Sequence, residues 1–425
     1  MTPRLLKNLT LTVISLFTAL TVSLAAAQEI PWASSAEEVG MSTERLERIN
    51  QAMQRHIDAG NIQGAVTAVA RRGKIVHFET HGVMDVPNNR PMMEDSGFIM
   101  MSSTKPVLGV AAMMMMEEGL IRPSDPVSKW IPEFEDMQVA VLAEPFDENI
   151  SPLRADPEDL PEYRLVPAYR QITVHDILTH TSGLASGGLG SAISPPADRS
   201  PGATLANTVP KFGNYVLDFQ PGTRWQYSAA TALDVVARII EIESGQSFPE
   251  FVKQRIFEPL GMDHTWWNVP AEYQDRRVVI VDRDMSRFFD VPDTTYFSGS
   301  YGLTSTAGDY LRFEQMLANG GELFGNRLLS PRTVRMMASN QSGDLYKGIR
   351  LNVKGQGFGY TVAVAEDPIV SNVRRSAGAF GWGGAFGTRS YTDPAEELTA
   401  VIMLQQPYGP AQGDFENAVQ QAIIE

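Results

Sequence analysis

Ser102 and Lys105 are spaced so that their side chains could act together, in the run Ser102-Ser103-Thr104-Lys105. Residues three apart on a helix are neighbours, so the hydroxyl and the amine can touch. A serine hydroxyl is a weak nucleophile until a base removes its proton, and a neutral lysine can be that base. The start of a helix also presents backbone N–H groups to a developing oxyanion. The pair therefore predicts attack by Ser102 on a carbonyl carbon, although Ser-x-x-Lys alone is a common pattern.

Two further motifs contain residues suited to the same chemistry. Tyr227, followed by Ser228 and Ala229, can accept a proton from serine and later from water if it lies beside a lysine ammonium. In the run Trp382-Gly383-Gly384, the two glycines let backbone approach an acyl carbonyl more closely than a side chain would allow. The three motifs together favour a serine hydrolase in which Lys105 and Tyr227 move the protons.

Taken in order, these motifs resemble those of a superfamily that contains serine β-lactamases, D-Ala-D-Ala peptidases and family VIII carboxylesterases. The resemblance runs from roughly residue 37 to residue 405 and is best to the carboxylesterases. It implies that Ser102 is the nucleophile, Lys105 the base and Tyr227 a member of the proton relay. It also implies that Trp382, Gly383 and Gly384 form the third motif, and that the N–H groups of Ala385 and Ser102 form the oxyanion hole.

The chain departs from the β-lactamase pattern at two positions. Trp382 stands where those enzymes have a cation that binds the substrate carboxylate, and Ala229 stands where they have an amide side chain. An indole offers one N–H and a large apolar face, which suits an acyl or alkyl group better than a carboxylate. Arg374, Arg375 and Arg389 are candidates to restore a cation, but we expect them to have surface or structural roles.

The function implied by the resemblance is hydrolysis through an acyl-enzyme on Ser102, first of all by a carboxylesterase that acts on short or medium acyl esters. A class C-like β-lactamase or a D-Ala-D-Ala carboxypeptidase is the alternative. The third possibility, an inactive protein that binds cell-wall fragments, has no need of an intact Ser, Lys and Tyr set. We expect a small-molecule ester or lactam substrate, no cofactor and no metal. The oligomeric state stays open.

Histidine offers a competing interpretation of the site. His175 and His180 are five residues apart within the stretch 172–184, which resembles a family signature with no direct chemical role. Metal-binding histidines on a helix are usually three or four residues apart, and the sequence contains no His-Glu-x-x-His pattern. It also contains no Gly-x-Ser-x-Gly nucleophile elbow. We therefore expect neither histidine to be catalytic.

Composition excludes other classes of protein. The net charge of −15 repels phosphate backbones and anionic membranes, so nucleic acid is not an expected partner. There is no cysteine, which excludes disulfides and thiol chemistry. At the N-terminus, Arg4 and Lys7 precede an apolar stretch and the small residues 25–27, which is the layout of a secretory signal peptide over residues 1–27. We expect a periplasmic or secreted protein without stable membrane insertion after cleavage.

The elements that must position these residues are predicted from hydrophobic periodicity. Patterns typical of helices are found at 42–59, 105–118, 307–318 and 331–337. A β-hairpin is predicted at 65–78, and further strands are predicted at 278–281, 357–364, 385–391 and 398–404. The acidic, proline-rich stretch 133–169 predicts a surface excursion.

Strands at both ends of the chain and helices in the middle predict an α/β (α+β) protein. By the resemblance the fold is β-lactamase/transpeptidase-like, with an antiparallel sheet flanked by helices and an inserted, mainly helical domain. We expect residues 28–120 and 270–425 to form the sheet domain and residues 121–269 to form the helical domain.

Overall fold

The computed structural model describes residues 29–143, 160–281, 293–349 and 353–425. The predicted signal peptide and part of the predicted excursion at 133–169 lie outside these residues. Within the described ranges, no helix combines the length and the apolar character needed to cross a membrane.

The fold contains fourteen named strands in the described residues. In chain order they are β1 (Gly64–Arg71), β2 (Lys74–Asp85), β3 (Arg90–Pro91), β4 (Phe98–Ile99), β5 (Gln138–Leu142), β6 (Tyr163–Pro167), β7 (Thr304–Ser305), β8 (Glu322–Leu323), β9 (Asn326–Arg327), β10 (Gln356–Phe358), β11 (Ala363–Ala365), β12 (Phe380–Gly383), β13 (Arg389–Asp393) and β14 (Leu398–Met403).

Eight of these strands form one antiparallel sheet in the order β10-β11-β12-β13-β14-β1-β2-β3. Strand β1 pairs with β14 from Val66 opposite Met403 to Arg71 opposite Leu398, so the two halves of the sequence meet at the centre of the sheet. Both strands are buried along their whole length, as expected for central strands covered on both faces. The predicted antiparallel sheet built from both ends of the chain is confirmed.

Twelve α-helices surround the sheet in the described residues. They are α1 (Thr43–Asp58), α2 (Lys105–Glu117), α3 (Val174–Leu178), α4 (Leu189–Ile193), α5 (Leu205–Thr208), α6 (Ala232–Ser244), α7 (Phe248–Val252), α8 (Glu258–Leu260), α9 (Ala307–Ala318), α10 (Pro331–Met337), α11 (Pro368–Ser371) and α12 (Gly409–Ala422). The helices predicted at 42–59, 105–118, 307–318 and 331–337 are confirmed as α1, α2, α9 and α10.

The helices form two layers, one on each face of the sheet. On one face α1 and α12 pack together and bury Leu46, Ile49 and Phe415 against alternate residues of the central strands. On the other face α2 and α9 lie in the main core. Helix α2 is buried from Lys105 to Met115, which agrees with its apolar character on every side. The sheet thus separates a face that holds α2 from a face that holds both ends of the chain.

The strand predicted at 278–281 is not formed. Val278 and Ile280 are buried and Val279 and Val281 are exposed, so burial alternates as it would in a strand. However, the N–H groups of Val278 and Val279 donate to Gly97 and Met84, which are not successive residues of one strand. The segment is therefore extended without a continuous partner, and no ladder forms.

Two other predicted strands also differ from the structure. The predicted strand at 357–364 is formed as two short strands, β10 and β11, which pair with each other across a turn. The predicted strand at 385–391 begins only at Arg389, because the Gly384 N–H donates to the Thr388 carbonyl and closes a turn. The stretch 121–269, predicted to be mainly helices and loops, also contains the β5–β6 pair. The domain boundaries stay a prediction.

Candidate active site

Ser102 lies in a 3-10 turn, Met101–Thr104, immediately before α2. Met101 has φ +46°, in the left-handed region that non-glycine residues rarely adopt. The turn is held in place from outside, since Tyr310 in α9 donates to the Ser103 carbonyl at 2.8 Å and the Met100 N–H donates to the Leu303 carbonyl. Strained backbone that is held by its surroundings occurs most often at functional sites.

Lys105, the first residue of α2, is completely buried. Its Nζ atom donates to Ser102 Oγ at 3.2 Å, to the Ala229 carbonyl at 2.6 Å and to the Ser300 carbonyl at 2.8 Å. The amine thus has three hydrogen-bonding neighbours, namely two backbone carbonyls and the serine hydroxyl. The predicted contact between the serine hydroxyl and the lysine amine is therefore present.

Tyr227 completes the predicted set. Lys105 Nζ lies 5.1 Å from the centroid of its ring, and Trp382 Nε1 donates to its hydroxyl at 3.3 Å. The ring also packs at 5.4 Å, centroid to centroid, from the Trp382 indole. The structure thus brings the first and second motifs and the tryptophan of the third motif to one place.

The third motif lies directly against the turn that carries Ser102. A Cβ atom on Gly384 would be 2.2 Å from the Met100 carbonyl oxygen, so only glycine permits this approach. Thr388 Oγ1 donates to the same carbonyl at 3.1 Å and lies 2.9 Å from Ser103 Oγ. The loop after β12 is therefore fixed on the turn that carries Ser102.

Ala385, the predicted second donor of the oxyanion hole, is exposed at the tip of that loop. Among the hydrogen bonds of the described residues, none uses the N–H of Ser102 or of Ala385 as donor. Two N–H groups without a protein acceptor, on segments that pack against each other, can bind the oxyanion of a tetrahedral intermediate. Gly383 is the last residue of β12, pairs with Arg389 of β13 and leads directly into this loop.

The candidate arginines point away from Trp382. In the β12–β13 pair, Arg389 lies opposite Gly383 and Trp382 lies opposite Ser390. Ser390 donates to Glu314 in α9, which marks the α9 face of the sheet. Because neighbouring strand residues face opposite sides, the Arg389 side chain extends to the α12 face of the sheet.

On that face, Glu416 of α12 binds two guanidinium groups, a buried one from Arg375 and a partly exposed one from Arg389. Its carboxylate lies 3.0 Å from Arg375 Nε and 3.8 Å from an Arg389 terminal nitrogen. Arg374 is exposed on the preceding loop. The expectation of structural pairing is thus confirmed for Arg375 and Arg389.

His180 lies behind Tyr227, at 4.7 Å between ring centroids and edge to face. Its Nδ1 accepts a hydrogen bond from the Ser228 N–H at 3.3 Å. Complete burial, together with the nearby Lys105 charge, holds the pKa of His180 well below its ordinary value. The side chain therefore packs behind the tyrosine in surroundings that favour its neutral form.

His175 has no contact with Ser102 in this arrangement and places Nδ1 3.1 Å from the Tyr360 hydroxyl. Across the described ranges, no cluster of three or more His, Asp or Glu side chains has the arrangement of a metal site.

Sequence reasoning missed a buried group of residues beside Lys105. Asp234 in α6 is fully buried and binds Tyr296, Ser298 and the Ser300 N–H, while Arg199 pairs with it. Neither charged residue belongs to a motif, and an Asp in the first turn of a helix is ordinarily explained by the helix dipole. A signal was nevertheless present, because Asp234 stands among apolar residues on the buried side of an amphipathic helix.

Comparison with known proteins gives the same relationship. The Beta-lactamase family profile matches residues 49–423. The chain is 35% identical to an uncharacterized protein of Mycobacterium tuberculosis, covering 84% of this chain and 89% of the relative, and 28% identical to Esterase EstB of Burkholderia gladioli, covering 88% and 94%.

Among solved structures, EstCE1, described as a hydrolase with promiscuous acyltransferase activity, superposes with a TM-score of 0.70 at 22% identity, covering 90% of this chain and 99% of that one. A penicillin-binding protein homologue from Caulobacter crescentus gives 0.67 at 18% identity, covering 90% and 99%. These similarities confirm the predicted β-lactamase/transpeptidase-like fold. The chain belongs to the Beta-lactamase family and is a serine hydrolase of the β-lactamase and penicillin-binding protein superfamily.

Proposed function

We propose that this protein is a carboxylesterase that acts on neutral esters of short or medium acyl chains. The observation that carries the proposal is the environment of Trp382. The indole packs beside Tyr227, and two of the candidate cations, Arg375 and Arg389, are bound to Glu416 on the other face of the sheet. An anionic substrate would leave its carboxylate against an apolar wall, which is costly, whereas a neutral ester has no such group.

In the proposed reaction Ser102 Oγ attacks the ester carbonyl carbon, and its proton passes to a neutral Lys105 3.2 Å away. The carbonyl oxygen takes up the electron pair and is stabilised by the N–H groups of Ser102 and Ala385. Collapse of this intermediate breaks the ester bond. The alcohol leaves with a proton returned through Tyr227, and the acyl group stays on Ser102.

Hydrolysis of the acyl-enzyme repeats the sequence with water as the nucleophile. Tyr227 and Lys105 accept a proton from the attacking water, and collapse of the second intermediate returns that proton to Ser102 Oγ as the acid leaves. The aromatic side chains near Tyr227, namely Trp225, Tyr346 and Phe358, form a cluster that keeps this side of the site dry.

Similarity to known proteins supports an ester more than a lactam. Esterase EstB is 28% identical over 409 residues, whereas the Beta-lactamase of Escherichia coli is 24% identical over 377 residues. The lactam and peptide alternatives share the Ser, Lys and Tyr set, so they differ from the proposal in the substrate and not in the chemistry.

The test compares kcat/KM for p-nitrophenyl butyrate with kcat/KM for nitrocefin at one pH. Losing a charge-assisted hydrogen bond of about 1.5–3 kcal/mol penalises the anionic lactam by roughly tenfold to hundredfold. The amide side chain that Ala229 lacks adds to this penalty, and we expect the ester to be preferred by at least about a hundredfold. Ser102→Ala should lower ester turnover by about 10⁴-fold or more, and Ser128→Ala, which removes a distant hydroxyl, should not. Equal or better hydrolysis of nitrocefin would replace the esterase with a β-lactamase.

We also propose that residues 1–27 are removed during export, because a short basic region, an apolar stretch and three alanines follow one another there. The intact mass of protein recovered from the periplasm or medium should correspond to a chain that begins at Gln28. A mass that still includes the first 27 residues would refute this.

A further inference from the structure

The two backbone carbonyls that contact Lys105 determine where its lone pair can point. A neutral amine has two N–H bonds and one lone pair. The Ala229 and Ser300 carbonyls lie 2.6 and 2.8 Å from Nζ, so each can accept one of the two N–H bonds. The lone pair is then left for the third neighbour, Ser102 Oγ, at 3.2 Å. Proton transfer needs this alignment as well as the short distance.

The Ser300 carbonyl belongs to a segment that a buried carboxylate fixes. Asp234 is fully buried in the first turn of α6. Its Oδ1 accepts from Ser298 Oγ at 2.6 Å and from the Ser300 N–H at 3.2 Å, and its Oδ2 accepts from the Tyr296 hydroxyl at 2.7 Å. Three hydrogen bonds from residues 296–300 therefore end on one side chain.

The Ala229 carbonyl belongs to a second segment, which Arg199 connects to the first. Its guanidinium group donates to the carbonyl of Ala230, the next residue in the chain. One of its terminal nitrogens also lies 3.6 Å from Asp234 Oδ2, and the group stacks over the Tyr296 ring at 5.3 Å. The Arg199–Asp234 pair thus bridges the two segments whose carbonyls bind the lysine.

We propose that Asp234 and Arg199 are positioning residues, which aim the lone pair of Lys105 at Ser102 by fixing the two carbonyls. This inference rests on the proposed function, in which Lys105 is the base. Neither residue contacts Ser102, so both act through the lysine. Stability alone is a weak reason for such a pair, because a buried ion pair is often no more stabilising than apolar residues of the same volume.

The test measures how fast a fluorophosphonate labels Ser102, followed by intact mass so that slow variants are still measurable. Asp234→Asn keeps the shape of the side chain but places an amide against Arg199, which loosens the bridge. We expect it to label about tenfold to a hundredfold more slowly than the unchanged protein, as for a small misplacement of a catalytic group. In a Lys105→Ala background the same substitution should change the rate by less than threefold, because no lone pair is left to aim.

Asp309→Asn is the matched control. Asp309 is as buried as Asp234, accepts from the His264 N–H at 2.7 Å and Thr265 Oγ1 at 2.9 Å, and pairs with Arg312. It has none of the contacts to the segments around Lys105, so this variant should label at the unchanged rate even if its thermal midpoint falls. An equal loss in Asp234→Asn and Asp309→Asn would overturn the inference, as would an equal loss in the presence and absence of Lys105.

Two outcomes separate this inference from the proposed function. If Lys105→Ala labels as fast as the unchanged protein, then the proposed role of the lysine is wrong. If that variant is slow but Asp234→Asn stays within threefold of the unchanged rate, only the positioning role is wrong. Should Asp234→Asn fail to fold, Arg199→Gln carries the same expectation, because it removes the charge that bridges the two segments while leaving Asp234 and its three hydrogen bonds.

Discussion

At the scale of single residues, His180 shows how a side chain with catalytic potential can serve as a support. Its ring is completely buried, lies edge-on to Tyr227 and uses Nδ1 to accept from the Ser228 N–H. Complete burial of the ring, with the nearby Lys105 charge as a second cause, holds the pKa of His180 well below its ordinary value. The surroundings of His180 therefore favour its neutral form.

This neutrality leads to a prediction for His180→Phe. Phenylalanine keeps the aromatic contact with Tyr227 but leaves the buried Ser228 N–H without an acceptor, which costs about 1–3 kcal/mol of folding free energy. We expect a lower thermal midpoint and a kcat for p-nitrophenyl butyrate reduced by about tenfold. The shape of the kcat/KM profile between pH 5 and 8 should not change, because burial lowers the pKa of His180 and favours the neutral ring. Loss of one limb of that profile would identify His180 as a general base instead.

At the scale of elements, a buried carboxyl group joins α9 to the strand beside the third motif. Glu314 accepts from Ser390 Oγ at 2.5 Å and from Thr392 Oγ1 at 2.7 Å, both on β13. Burial raises the pKa of Glu314 to about 7, and the two hydroxyl donors oppose this shift only in part. Because β13 pairs with β12, this contact also holds the strand that carries Trp382.

The raised pKa sets the sign of a prediction about stability. A carboxyl group whose pKa is higher in the folded state stabilises the fold fully below its unfolded pKa. This stabilisation is lost as the pH rises through the folded pKa. We therefore expect the protein to lose up to about 3 kcal/mol between pH 4.5 and pH 8.5 from this residue. In Glu314→Gln the free energy of unfolding should change less between these two pH values.

Thermal midpoints at pH 5 and pH 8.5 are the measurement for this prediction. Glu79→Gln, at an exposed position on β2, is the control and should behave like the unchanged protein. If Glu314→Gln lowers the midpoint by the same amount at both pH values, then Glu314 is ionised across the range and the expectation is wrong.

At the scale of the whole molecule, both ends of the described chain are joined through one buried arginine. Arg71, at the end of the central strand β1, donates to the carbonyls of Val39 and Gly40 at 3.0 and 2.7 Å and to that of Glu425 at 2.6 Å. It also binds Glu396 through both its backbone carbonyl and its carboxylate. These bonds connect the segment before α1, the β13–β14 turn and the end of the chain after α12.

Arg71→Ala should therefore destabilise the fold as a whole. It leaves several buried carbonyls and a carboxylate without a donor, and we expect a loss of about 2–4 kcal/mol in the free energy of unfolding. Arg55→Ala removes an exposed arginine that lies 3.9 Å from Asp414, and such surface pairs contribute about 0–1 kcal/mol. Urea denaturation of both variants compares the two. Equal midpoints would show that the arginine at the end of β1 is dispensable.

The sequence by itself determined the local elements and the identity of the reactive groups. Periodicity predicted α1 and α9 because a helix that packs on a sheet must place apolar residues on its buried side. A continuous apolar run predicted α2, which is buried on every side. The spacing of Ser102 and Lys105 sufficed to predict their contact, since it depends on one helical turn and on nothing distant. Motif order likewise indicated that Tyr227 and Trp382 would meet beside them.

Only the tertiary structure decided what surrounds these groups. The acceptors of Lys105 include two backbone carbonyls, and every residue has a carbonyl, so no side-chain pattern could single out Ala229 or Ser300. The role of Arg389 depended on strand register, because a shift of one residue would move its side chain to the face of Trp382. The apolar segment 278–281 lacked a continuous partner strand, which a local sequence pattern does not report. Each of these features depends on which distant segments lie next to one another, and that is settled by packing of the whole chain.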